Sequence, residues 1–188
     1  YINREAEQIL SKLLKTKKVL FVLGARQVGK TTLLEHGLKG IQGAFLNLDI
    51  EIDKARLFAA RALSPDDALK SFGSPRILVI DEAQRAPEAG LLVKGWYDAK
   101  LPIKIVLLGS SSINLMDTIA EALTGRNEKL YLPPLTFREI VYSRQWHRPS
   151  YTKPILLRHF NKQLHALMRD TLVFGSYPEA IAVPEKRA

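Results

Sequence analysis

Short apolar runs alternate along this chain with stretches whose apolar residues recur at helical spacing. The runs are Val19–Leu23, Ala44–Asp49, Ile77–Ile80 and Ile103–Leu108, and their length and composition predict four strands. Ile2, Ala6, Ile9, Leu10 and Leu13 predict an amphipathic helix over residues 2–14. Gly37, Gly40 and Gly43 punctuate the end of the helix that follows the first strand. Asp53 and the pair Ser64-Pro65 are start signals for helices near 54–62 and 65–72. Residues 88–99, carrying Leu91, Leu92, Trp96 and Tyr97, predict a further helix, and 112–123 another. Strands that are apolar throughout and joined by helices form parallel sheets covered on both faces. The expected fold is therefore α/β, a three-layer sandwich with a parallel sheet and helices on both faces. The pattern changes at Pro133-Pro134, beyond which residues 137–142 and 155–174 read as helices in a basic, aromatic setting. A core over residues 1–134 and a small, mainly helical segment over 135–188 are expected, the latter as the start of a lid or second domain.

The connection after the first apolar run carries the first chemical signal. Residues 24–31 read Gly-Ala-Arg-Gln-Val-Gly-Lys-Thr, which sets Gly24, Gly29, Lys30 and Thr31 at phosphate-loop spacing. Ala25, Arg26, Gln27 and Val28 supply the backbone between the glycines, and Thr32 continues into the next helix. Glycine lets the chain turn sharply and bring its N–H groups against phosphate oxygens. The helix N-terminus adds partial positive charge. Lys30 can reach the β- and γ-phosphates, and the Thr31 hydroxyl can bind Mg²⁺.

A second signal ends the third run, where Ile80 is followed by Asp81 and Glu82. Ligands of open parallel sheets sit at the carboxyl ends of the strands. Asp81 is thus expected near the Mg²⁺ that Thr31 holds, through water. Glu82 is the better-placed base to activate water against the γ-phosphate. Ser110 or Ser111, after the fourth run, could sense the γ-phosphate, while Ser112 caps the next helix. Arg126 follows Leu123-Thr124-Gly125; it could neutralise charge on the γ-phosphate or be an ordinary surface arginine. Arg26 and Arg85 lie beside the motifs and could also touch phosphate. There is no Asn-Lys-x-Asp guanine-reading sequence, and no glycine stands three residues after Asp81, both of which argue against GTP. The adjacent carboxylates favour water over a small-molecule hydroxyl as nucleophile. Mg²⁺-dependent ATP hydrolysis is the expectation. The alternative is a nucleotide-gated module that binds DNA or protein with little or no hydrolysis.

Composition narrows the setting. The chain has 188 residues, 46% of them apolar, enough for a sizeable core. No apolar run is long enough to span a bilayer, and Tyr1-Ile2-Asn3-Arg4-Glu5 lacks the basic-then-apolar order of a secretory signal. The absence of cysteine excludes disulfides and thiolate metal sites and fits a cytoplasmic location. His36, His147, His159 and His165 lack metal-ligand spacing. The net charge is +9, and more than half of it falls in residues 138–170. There Arg138, Arg144, Arg148, Lys153, Arg158, Lys162 and Arg169 face only Glu139 and Asp170. Such a stripe can attract nucleic acid, form a solvated helix face or pair with an acidic partner domain. Trp96 and Trp146 are expected to pack rather than to stack on bases.

Taken together these stretches resemble the AAA-type P-loop ATPases of a bacterial and archaeal group. The resemblance rests on residues 24–34, Leu46–Asp49, Ile80–Pro87, Leu108–Ser112, Leu123–Arg126, Leu132–Glu139 and Gly175–Ala180. It implies a P-loop NTPase fold, Walker A at 24–31, Walker B at 77–82, a sensor at Ser110 or Ser111 and a functional Arg126, in its own site or a neighbour's. It also makes a homo-oligomer or protein partner plausible. Members of that group usually continue into a further helical, winged-helix-like portion, so the chain is expected to be a fragment or a shortened member.

Overall fold

The computed structural model describes residues 1–110 and 113–182. The chain groups into two compact units. The larger comprises Ala6–Arg26 and Lys30–Leu132; the smaller comprises Tyr1–Glu5, Gln27–Gly29 and the described residues from Pro133 to Ala182. The sequence pattern assigned Tyr1–Glu5 and the tip of the phosphate loop to the core; by packing both belong to the smaller unit.

The larger unit is built on five parallel strands in the order β2-β3-β4-β1-β5. These are β1 (Val19–Leu23), β2 (Gly43–Asn47), β3 (Ile77–Asp81), β4 (Lys104–Gly109) and β5 (Asn127–Tyr131). Every residue of β1 and β4 is buried, as apolar central strands require. One face of the sheet contributes Phe21, Leu23, Leu78, Ile80, Ile105 and Leu107 to a core cluster. Leu57 of α3 (Glu51–Ala59), Val93 and Trp96 of α5 (Ala89–Asp98) and Ile119 of α6 (Ile113–Ala122) complete it. Trp96 is 4% exposed and meets Phe72 edge to face with ring centroids 5.9 Å apart, a packing role. Alternate strand residues Leu20, Val22, Val79, Val106 and Leu108 are equally buried, so the opposite face is covered too. Leu10 of α1 (Ala6–Leu13) and Leu33 and Leu34 of α2 (Lys30–Gly37) are buried outside that first cluster. The remaining helix of this unit is α4 (Pro65–Ser71), with Ser64 as its N-cap.

The fifth strand is not among the four that apolar runs predict. Its sequence is Asn-Glu-Lys-Leu-Tyr and only Leu130 is buried, because it forms the sheet's edge beside β1. The first helix starts at Ala6 rather than residue 2. The Glu5 N–H is captured by Glu139 Oε1 at 2.7 Å, which diverts the preceding residues from helical bonding.

The smaller unit contains α7 (Phe137–Tyr142), α8 (Lys153–His159), α9 (Asn161–Phe174) and α10 (Pro178–Ala182). Its core is small: Leu135, Ile140 and Ile181, with Ile2 and Leu167 against them. Thr136 begins α7 with a reciprocal capping box: its hydroxyl accepts the Glu139 N–H, and Glu139 Oε2 accepts the Thr136 N–H. The single helix predicted over 155–174 is two helices. Phe160 leaves helical geometry (φ −123°, ψ 22°) with its ring stacked on Trp146 at 4.8 Å and Tyr151 at 5.4 Å.

Candidate nucleotide site

The loop after β1 turns through two left-handed residues, Gln27 (φ 64°) and Gly29 (φ 92°), before α2 begins at Lys30. Gly29 suits this backbone because it has no Cβ; Gln27 holds it against its own preference. Gly24, Val28 and Lys30 are buried, Ala25, Gly29 and Thr31 half-buried, and Arg26, Gln27 and Thr32 exposed. Lys30 Nζ donates to the carbonyls of Gly24 and Ala25, both at 3.0 Å. Burial lowers the Lys30 pKa from its ordinary value, Glu82 and Asp81 pull it back up, and Arg26 lowers it further. The lysine is thus held as a desolvated cation within its own loop.

The Thr31 hydroxyl donates to Asp81 Oδ2 at 2.8 Å. This joins the start of α2 to the end of β3. The other carboxylate oxygen, Asp81 Oδ1, accepts the Glu82 N–H at 2.8 Å. Glu82 is left-handed (φ 52°, ψ 39°), an uncommon state for a residue with a side chain. It opens the 3₁₀ turn Ala83–Arg85, and the Arg85 N–H closes that turn on the Glu82 carbonyl at 2.8 Å. Gln84, which sequence reasoning passed over, is 6% exposed, and its Nε2 donates to Glu82 Oε2. Its own Oε1 is buried without a hydrogen-bond partner. The signal was present in the Asp-Glu-Ala-Gln run, but only geometry turns that glutamine onto the glutamate.

Other candidates separate. Ser110 follows Gly109, which pairs in register with Leu23, so Ser110 stands beside the first residue of the loop. Ser111 and Ser112 lie outside the described residues. Arg126 is at the far edge of the sheet: its carbonyl accepts the N–H of Val19, the first residue of β1, at 2.9 Å. Five residues of extended strand, roughly 16 Å, separate that position from Gly24. Its guanidinium Nε is 2.7 Å from Asp98 Oδ1. Arg126 is therefore not brought to Lys30 of its own chain. Arg85 pairs with Asp49 at 2.7 Å in an exposed bridge, drawing the Leu46–Asp49 stretch beside the Asp81–Arg85 turn.

A loop hydroxyl and a strand-end carboxylate in contact, with a buried lysine one residue away, fit the oxygen-rich, partly hydrated surroundings that Mg²⁺ accepts beside phosphate. Fold and site together define a P-loop nucleotide-binding domain. An AAA domain family model matches residues 16–141, and the chain belongs to that AAA-type P-loop ATPase family. Uncharacterized proteins of Mycobacterium bovis and Mycobacterium tuberculosis are each 32% identical over 158 residues, covering 80% of this chain and 34% of theirs. An uncharacterized protein of Methanocaldococcus jannaschii is 27% identical over 98% of this chain and 40% of its own. The chain thus spans roughly a third of the length of its mycobacterial relatives. In structure it is similar to a Walker-type ATPase of Pyrococcus abyssi (TM-score 0.67, 18% identity, 96% of this chain and 66% of that one). It is also similar to the Orc1 protein of Aeropyrum pernix (TM-score 0.54, 16% identity, 86% and 50%). Among the described residues no helix is long and apolar enough to cross a membrane.

Proposed function

We propose that this domain binds ATP with Mg²⁺ and hydrolyses it, using the fuel to drive a partner. The observation that carries this reading is the 2.8 Å contact between Thr31 and Asp81, with Lys30 buried in the loop beside it. The loop N–H groups and the Lys30 ammonium hold the triphosphate. Thr31 and Asp81 would hold Mg²⁺, which supplies charge neutralisation at the phosphates when bound. Glu82 orients a water and accepts its proton as the water oxygen bonds to the γ-phosphorus; the bond to the β-phosphate oxygen breaks, releasing ADP and phosphate. Gln84 holds the Glu82 carboxylate in one orientation. Ser110 is the sensor candidate on described backbone. Arg126, remote from its own loop and paired with Asp98, is given no part in the chemistry of its own site; a role in a neighbouring copy's site and an ordinary surface arginine are the readings left.

Replacing Glu82 with glutamine should leave ATP binding within about threefold of wild type and reduce phosphate release by at least about a hundredfold, the usual size of a general-base contribution. Equal turnover in the two proteins removes Glu82 from this role. A second reading is nucleotide-gated contact with nucleic acid. The exposure of Arg138, Arg148, Lys153, Arg158, Lys162 and Arg169 favours it, as does the likeness to an Orc1 protein whose structure was determined in complex with DNA.

A further inference from the structure

Arg4 is a buried cation that the proposed chemistry does not use. Its side chain and that of Glu139 are each 4% exposed, and Arg4 Nε donates to Glu139 Oε1 at 3.1 Å. The rest of the guanidinium is turned onto backbone. Nη1 donates to the Val28 carbonyl at 2.8 Å, and Nη2 to the Pro133 carbonyl at 2.6 Å. Glu139 is itself fixed, because its two oxygens also take the Glu5 and Thr136 N–H groups. Buried ion pairs contribute little to stability when compared with apolar packing, so the geometry of this one calls for another explanation.

Val28 lies in the phosphate loop, two residues before Lys30. A trans peptide is planar, and its carbonyl and N–H point in opposite directions. Among the described residues no peptide is cis. A Val28 carbonyl anchored on Arg4 therefore aims the Gly29 N–H away from Arg4. A Cβ built on Gly29 would lie 3.8 Å from Arg4 Nη1 and 3.8 Å from Pro178 Cγ, so that side of the glycine is already lined by protein. The N–H faces the other side. Without an anchor this plane can rotate about ψ of Val28 and φ of Gly29, and glycine tolerates the outcome. Rotation would present a carbonyl to phosphate in place of a donor.

We infer that Arg4 is a positioning residue for the phosphate loop, holding the Val28 carbonyl outward so that the Gly29 N–H meets the phosphates of the nucleotide. This rests on the ATP-binding reading above. The test is calorimetric titration of the full chain with ATP and with ADP in Mg²⁺, together with melting temperatures, for wild type, Arg4→Met, Arg4→Lys and Glu139→Gln. Lysine keeps a charge against Glu139 but lacks the rigid fork by which three separate nitrogens of Arg4 serve Glu139, Val28 and Pro133 at once. Glutamine at 139 keeps an acceptor for Arg4 and leaves its contact with Val28. Arg4→Met should weaken both nucleotides about tenfold and Arg4→Lys about fivefold, the scale of one charge-assisted hydrogen bond. Glu139→Gln should melt lower, because a buried guanidinium loses its counter-charge, yet bind both nucleotides within about twofold of wild type. If affinity simply follows melting temperature across the set, Arg4 is structural and the inference fails. Should Arg4→Met not fold, Arg4→Lys decides: affinity equal to wild type overturns the role. A wild type that binds neither nucleotide removes the phosphate site and this inference with it; a wild type that binds, matched by Arg4→Lys, removes only the inference.

Discussion

Replacing Lys30 with methionine tests the phosphate site with little change in side-chain volume. In the structure the ammonium is satisfied by the Gly24 and Ala25 carbonyls, each 3.0 Å away. A bound phosphate has to compete with those bonds. A unit charge contact at about 4 Å in surroundings of effective dielectric about 20 contributes about 4 kcal/mol. Two hydrogen bonds given up by the ammonium, at about 1 kcal/mol net each, offset about half of that. The surplus, about 2 kcal/mol, corresponds to roughly thirtyfold in dissociation constant. The fold itself should change less. Methionine loses the two carbonyl bonds but also removes a cation whose burial already lowers its pKa. The expected shift in melting temperature is within about 4 °C. Calorimetric titration with ATP and Mg²⁺, beside a thermal melt, reads both quantities. A dissociation constant within about threefold of wild type, in a variant that melts normally, would refute the assignment of Lys30 to phosphate, since even one lost charge contact exceeds that change. A melt lowered by more than about 10 °C would show that the carbonyl bonds hold the loop together rather than await a ligand.

The same lysine sets a pH limb. Because its pKa is lowered from 10.5 and phosphate binding uses the charged form, ATP affinity should fall as pH rises, beginning below the pH at which a solvent-exposed lysine would titrate. The limb should be absent in Lys30→Met; its persistence there would assign it to another group. Lys104, 8% exposed at the start of β4, donates to the carbonyls of Leu13, Thr16 and Lys18 at 2.7, 3.0 and 2.6 Å. Lys104→Met strips these carbonyls of that donor and should cost about 2 kcal/mol, or about 4–8 °C by thermal melt for a chain of this size; an unchanged melt would mean the cage contributes nothing net. For nucleic acid, anisotropy with a labelled DNA duplex at rising salt should show affinity falling steeply if the exposed arginines and lysines meet phosphates. No binding at low salt would dismiss that surface.

The central sheet was legible because its strands are buried on both faces, and burial of that kind leaves an unbroken apolar run in the sequence. Val19–Leu23 and Ile77–Ile80 announce themselves in this way. The edge strand β5 has one neighbour and half its surface in water, so Glu128 and Lys129 are compatible with it and the run is broken. Helical periodicity has the converse weakness. It persists across a one-residue break, so the turn at Phe160 is invisible until the ring's stacking partners are placed. The loop over 24–31 and the Asp81-Glu82 pair stand out in the sequence as candidates because their chemistry is local: glycine positions, a lysine and a hydroxyl in one loop, two carboxylates at one strand end; the structure adds the Thr31–Asp81 contact.

Arg4 and Lys104 illustrate why the supports of such a site escape a reading of sequence. A lysine or arginine in an amphipathic pattern is ordinarily a solvated residue, and nothing in its neighbours along the chain distinguishes the exception. What makes the exception possible is a cage of acceptors gathered from elsewhere. Lys104 draws on the carbonyls where α1 ends and β1 begins, 86–91 residues away. Arg4 draws on Glu139 and on carbonyls 24 and 129 residues distant. Carbonyls carry no residue identity, so no motif can encode them. Desolvating a cation is costly unless those acceptors are fixed in place, which means that a buried cation reports on backbone geometry already determined by the fold. At Lys104 the reported geometry is a helix end. At Arg4 it includes a peptide plane of the phosphate loop, whose orientation decides whether a donor or an acceptor is offered to a ligand.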